Sequence, residues 1–197
     1  MRVLFLSNNT NSFKLFRWLA EQNIELFFSN SKLDEEYVRA INPNLIISFN
    51  YKYLIRKNIL NLYPHKFINF HIAYLPFNRG ANPNVWSFLD GTPKGVTIHL
   101  IDEGIDTGEI IFQEEVNIDT SKETLSSSYN ILIESITDLF ISKWEYIEDF
   151  GFQTKKQIGQ GTLHYLKDFE RIKHLLLPEG YDIVIDEFIR RYNNSKN

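Results

Sequence analysis

"VLFLSNNTNSFKLFRWL", residues 3–19, runs four apolar residues into a polar turn and then into apolar positions of a different period. Val3 to Leu6 is too short and too uniformly apolar for a surface helix and reads as a buried strand. Phe13, Leu15, Phe16 and Leu19 recur at helical spacing beyond the turn Ser7–Asn11. The same alternation continues. Residues 24–28 (IELFF), 45–49 (LIISF) and 67–70 (FINF) are short runs rich in β-branched and aromatic residues, separated by helical stretches near 33–42 and 56–61. Strands alternating with helices imply right-handed βαβ units, hence an α/β, Rossmann-like fold whose mostly parallel central sheet is flanked by helices. Sheets of this kind bind ligands at the carboxyl ends of their strands.

Asn82 as N-cap, Pro83 at the first helical position and Gly91 past the end bracket a helix of about ten residues. Val96 to Ile101 reads as a strand, and Ile110–Phe112 resumes extended structure, so a hairpin-like pair surrounds the acidic loop Asp102–Gly108. Thr120 and Glu123 have capping-box spacing, and a helical apolar face follows from Leu125 to about residue 148. Trp86 and Trp144 fall on apolar faces and belong to the core, whereas His164 and His174 read as surface residues. Polar residues 153–160 suggest a linker, dividing a catalytic domain, 1–150, from a short C-terminal appendage, 151–197.

The chain has 197 residues, 43% hydrophobic and 23% charged, and no apolar run reaches the roughly 18 residues of a membrane span. Its first apolar run begins directly after Met1-Arg2 and reads as a strand rather than a signal peptide. Without cysteine, thiol catalysis, disulfides and thiolate metal sites are excluded, and a cytoplasmic home is expected. A net charge of −4 gives no compositional support for a nucleic-acid or membrane partner, so small molecules are the expected partners, and a homodimer stays open.

One strand carries chemistry at its end. Asn69 and His71 in "INFHIAYLPFNRGANPNVW", residues 68–86, stand two apart and project from the same side of the strand. An amide donor beside an imidazole suits stabilisation of an oxyanion and movement of a proton, as acyl transfer requires. Asp102, Glu103 or Asp106 could supply a carboxylate to orient the imidazole. The pair serves equally as a strand-end cap with a satisfied polar neighbour, and on spacing alone that plainer reading is preferred.

The longer stretch "INFHIAYLPFNRGANPNVWSFLDGTPKGVTIHLIDEGIDTGEIIFQEEV" resembles the catalytic core of the folate-dependent formyltransferases, over roughly residues 44–150. Asn-x-His, Leu-Pro, Arg-Gly, Gly-Val-Thr-Ile-His and Asp-x-Gly-x-Asp-Thr-Gly stand in that family's order. The resemblance implies Asn69, His71 and Asp106 as catalytic residues and N10-formyltetrahydrofolate as co-substrate, with no metal. It also implies a pterin held between Tyr51, Lys52, Tyr53 and Leu54 on one side and Ile101, Asp102, Glu103, Gly104 and Ile105 on the other. In that mechanism a charged His71, held so by Asp106, and Asn69 would stabilise the oxyanion.

Within the family, Ser7–Asn11 lacks the glycines of a ribonucleotide-phosphate loop. The chain length and negative charge also point away from transfer RNA. What remains is similar to the sugar N-formyltransferases, on Leu75–Ala81 and on "GTLHYLKDFERIKHLL". A nucleotide-linked amino sugar is thus the expected acceptor, with Arg79 at its diphosphate and Asn9, Tyr74 and Asn78 nearby. Three alternatives stay open: a formyl-folate hydrolase, a glycinamide ribonucleotide enzyme, and a silent folate- or nucleotide-binding module.

Overall fold

The computed structural model describes residues 1–196. The first four main strands, β1 (Arg2–Leu6), β2 (Glu25–Ser29), β3 (Leu45–Phe49) and β4 (Phe67–His71), run parallel, joined by α1 (Phe13–Ala20), α2 (Glu35–Ile41) and α3 (Lys57–Leu60). After the short β5 (Arg79–Gly80) and α4 (Pro83–Leu89) come β6 (Gly95–Leu100) and β7 (Ile110–Glu115), both paired antiparallel. The six-stranded sheet has the order β2-β1-β3-β4-β6-β7. The parallel strands are continuous apolar runs because both faces are covered. Phe5, Ile47 and Ile68 pack on one face with α1 and α5 (Leu125–Ser142), and Leu4, Leu6 and Ile46 pack on the other with α2 and α3.

Helix boundaries depart from the sequence reading in three places. Asn82 takes a left-handed conformation, φ 54°, and its side chain caps nothing, because the chain turns sharply from β5 into α4. The capping box at α5 is made by Thr124 and Ser127 rather than Thr120 and Glu123. Isoleucine 185 donates its amide to the Glu123 carbonyl, and Asp186 donates to that of Thr120, so these residues are bound to the C-terminal segment instead. The long helix breaks at Lys143, and α6 (Trp144–Glu148) continues after it.

Residues 153–160, expected as a linker, are bound to the sheet end together with the residues that follow them. Lys155 bridges Ile110, and β8 (Leu163–His164) pairs with Arg79–Gly80. Beyond it, α7 (Leu166–Ile172) and α8 (Ile185–Asn194) bury Phe169, Ile185 and Phe188 against Val85, Trp86 and Leu125. Since Phe188 is fully buried, Phe188→Ala should lower stability by about 3–5 kcal/mol. Urea denaturation measures this, and a loss below about 1 kcal/mol would mean that the cluster relaxes into the space.

Candidate active site

Asn69 and His71 end β4 at the carboxyl edge of the parallel sheet, above a cavity of about 920 Å³. The loop between β6 and β7 brings Asp106 to them, 37 residues beyond Asn69 in the chain. Asn69 Nδ2 donates to Asp106 Oδ1 at 3.2 Å, and His71 Nδ1 lies 3.6 Å from Asp106 Oδ2. The Gly80 amide donates to the same Oδ2 at 2.8 Å. Asp106 sits at φ 51°, a left-handed conformation that Asp tolerates better than most residues.

Sequence reasoning missed two residues that shape this loop. Gln157, from the expected linker, donates Nε2 to the carbonyls of Asp106 and Gly108, each at 2.8 Å. Its Oε1 accepts from Arg79 Nε and Nη2 at 3.0 and 2.6 Å. One residue thus ties down the Asp106 backbone and the residue preceding the Gly80 donor. Nothing in a polar, lysine-bearing segment signals this, since the contact spans about 50 positions. His99 is the second: 2% exposed, it approaches Asn69 Nδ2 at 3.2 Å and Asp106 Oδ1 at 3.5 Å. A polar residue inside the apolar strand "GVTIHL" was the available signal.

Burial pushes His71 below its ordinary pKa, although the Asp106 carboxylate beside it pulls upward. Burial also raises Asp106, but the imidazole of His71 and the Gly80 amide outweigh it and hold the carboxyl well below the usual range. These two directions compete, since a neutral His71 cannot attract Asp106 by charge. The amides of Gly80 and Asn69 nevertheless donate to Asp106 in either state, which favours ionised Asp106 beside a His71 that burial tends to keep neutral. His71 Nε2 lies 2.8 Å from the Asn78 carbonyl, which can only accept, so this nitrogen carries the proton. The charged His71 expected from sequence is therefore opposed by burial, and Nδ1 is the nitrogen free for proton transfer.

Both expected pterin segments line the cavity: Tyr51, Lys52, Tyr53 and Leu54 from one, and Ile101, Asp102, Gly104 and Ile105 from the other. Glu103 is turned outward and pairs with Lys57 at 2.7 Å. Asp102 Oδ1 accepts from the Gly104 amide and the Thr107 hydroxyl, which shapes the loop from within. A third wall, absent from the sequence reading, is Gly80–Pro83 with His164–Lys167. His164 is no bare surface residue: it stacks on Trp86 with ring centres 4.0 Å apart and meets Asp90 at 2.7 Å.

The four expected acceptor contacts do not line the cavity. Arg79 is occupied by Gln157. Asn78 is fully buried, its side chain bound to Asp90 and Thr92 and its amide to Thr162. Asn9 caps a short 3₁₀ turn by accepting from the Asn11 amide, and Tyr74 lies against Gly95 beside β6. The polar groups of Arg79, Asn78 and Asn9 are thus used by the fold itself. Among the described residues no group of His, Asp and Glu is arranged to hold a metal, and no helix is long and apolar enough to cross a membrane.

A parallel sheet carrying an amide, an imidazole and a carboxylate at its carboxyl edge, over an open cleft, has the makings of a group-transfer enzyme. The chain belongs to the formyl transferase family, whose model matches residues 16–142. It is similar to the formyltransferase PseJ of Anoxybacillus kamchatkensis, solved with UDP-4,6-dideoxy-4-formamido-L-AltNAc and tetrahydrofolate. The two share 36% identity over 97% of this chain and 99% of that one, with a TM-score of 0.86. A dTDP-4-amino-4,6-dideoxyglucose formyltransferase of Mycobacterium tuberculosis is 38% identical over 112 residues, 57% of this chain and 47% of that protein. A methionyl-tRNA formyltransferase of Carboxydothermus hydrogenoformans is 34% identical over 151 residues, 75% of this chain and 48% of that one. The chain spans about half the length of the curated relatives it matches.

The shifted pKa values give a sign for acid stability. Because folded His71 lies below the ordinary value near 6.5, the unfolded chain takes up its proton first on acidification, and the stability of the neutral buried ring is lost as pH falls below about 6.5. Asp106, also lowered, adds a second loss below about pH 4. The melting temperature should therefore fall between about pH 7 and 5, and His71→Phe should flatten that interval while the decline below about pH 4 persists. An unchanged slope in His71→Phe would remove His71 as the cause.

Proposed function

We propose that this chain transfers a formyl group from N10-formyltetrahydrofolate to the primary amine of a nucleotide-linked amino sugar. The observation that carries this reading is the convergence of Asn69, His71 and Asp106 on a cleft lined by residues 51–54 and by Ile101, Asp102, Gly104 and Ile105. Likeness to PseJ over nearly its whole length supports the acceptor, since that enzyme was solved with a formylated UDP-sugar and tetrahydrofolate. A cavity of about 920 Å³, lined largely by apolar side chains, has room for a folate ring and a sugar side by side.

In the proposed mechanism the neutral amine attacks the formyl carbon, a C–N bond forms and charge moves onto the formyl oxygen. Asn69 shares the N–H that faces Asp106 with this oxygen. His71 Nδ1, its partner nitrogen committed to the Asn78 carbonyl, accepts the amine proton beside the Asp106 carboxylate. Asp106 stabilises the imidazolium so formed. As the bond to the folate nitrogen breaks, the proton passes to that nitrogen, leaving a formamide and tetrahydrofolate with atoms balanced. No charge on His71 is needed beforehand, which agrees with its burial.

Incubation with N10-formyltetrahydrofolate and a panel of UDP- and dTDP-amino sugars should yield a formamido product by mass spectrometry. Asn69→Ala and Asp106→Ala should each cut turnover by about 10²- to 10³-fold while leaving a folded protein. Folate consumption at full rate without any amine would instead identify a hydrolase. A panel that yields no product while glycinamide ribonucleotide is formylated would overturn the sugar reading.

A further inference from the structure

We propose that His99 is a positioning residue that locks the amide of Asn69 with its N–H end toward the reaction, with Ser48 holding the opposite end. The inference rests on the formyl-transfer reading above. Ser48, Asn69 and His99 stand in one row across three neighbouring strands: Ser48 is paired with Asn69 between β3 and β4, and Asn69 with His99 between β4 and β6. Directly opposed residues on adjacent strands present their side chains on the same face. The row therefore follows from strand register and not from a flexible loop.

The hydrogen bonds give each atom in the row one role. His99 Nδ1 lies 2.7 Å from the Leu100 carbonyl, and a carbonyl can only accept, so the ring proton sits on Nδ1. A neutral ring then offers a bare Nε2, 3.2 Å from Asn69 Nδ2, as an acceptor. At the far end Ser48 Oγ donates to Asn69 Oδ1 at 2.8 Å. Turning the amide over would set its oxygen against both the His99 lone pair and the Asp106 carboxylate. Two acceptor–acceptor contacts in a largely buried place oppose that rotamer strongly. Asn69 thus arrives preorganised, and His99, 2% exposed at the cavity wall, acts on the chemistry through it. Leu100 is itself fixed, because its carbonyl lies so near Gly108 that a Cβ there would come within 1.7 Å of the oxygen.

The test compares His99→Phe, which keeps the ring volume but removes the acceptor, with His99→Gln, whose side-chain carbonyl can again accept from Asn69. His99→Phe should lower kcat by about tenfold or more with both KM values within about threefold of the parent, and His99→Gln should recover most of that loss. Near-parental turnover in His99→Phe, or a His99→Gln as slow as His99→Phe, overturns the proposal. Should His99→Phe fail to fold, nitrogen NMR of the unaltered protein decides: a proton on Nδ1 with bare Nε2 supports the lock, and a proton on Nε2 overturns it. That measurement needs no substrate, so a wrong tautomer and a wrong reaction are told apart.

Discussion

A carboxylate held largely out of water is the constraint around which this structure is arranged. Burying an ionised carboxyl costs several kcal/mol unless its oxygens are bound, and Asp106 receives a hydrogen bond on each oxygen from a different part of the chain. Asn69 comes from β4 and the Gly80 amide from β5, while the imidazoles of His71 and His99 stand beside the carboxylate at 3.6 and 3.5 Å. Its own backbone, in a left-handed conformation, is held by Gln157, which follows α5 and α6 in the chain. Removing any one of these leaves a buried charge less well bound, which is a heavier loss than one ordinary hydrogen bond.

This arrangement explains why residues 153–164 are not a free tether. Gln157 joins Arg79 to the loop carrying Asp106, and β8 lies beside Arg79–Gly80 so closely that a Cβ on Gly80 would come 2.3 Å from the His164 carbonyl. The segment that looks like a connection in composition is part of the support of the site, and the helices after it close the third wall of the cleft. The same wall carries the His164–Trp86 stack, so the C-terminal packing and the shape of the cavity are set by one set of contacts.

The electrostatics of the site follow from the same burial. His71 has one nitrogen committed to a backbone carbonyl and the other facing Asp106, so proton movement is confined to a single edge of the ring. A buried imidazole resists holding a charge beforehand but gains an ion-pair partner once a proton arrives. This combination suits a residue that must take a proton and give it up within one reaction cycle.

The sequence by itself determined the order of the six sheet strands and of the helices up to the long one after Leu125, and the placing of Asn69 and His71 on one side of a strand, because periods of 2.0 and 3.6 residues and the placement of Gly and Pro are local properties of the chain. The motif from Gly95 to Gly108 also made Asp106 legible through its resemblance. Helix ends were read less well: the left-handed turn at Asn82 and the break at Lys143 respond to packing that no local pattern encodes. Only the tertiary structure decided that Arg79 and Asn78 serve the fold and that Ser48, Asn69 and His99 form a row. Only there does Gln157 reach the catalytic loop. Each of these depends on strand register or on contacts between residues tens of positions apart, and register is fixed by how two strands meet, which neither strand's sequence states alone.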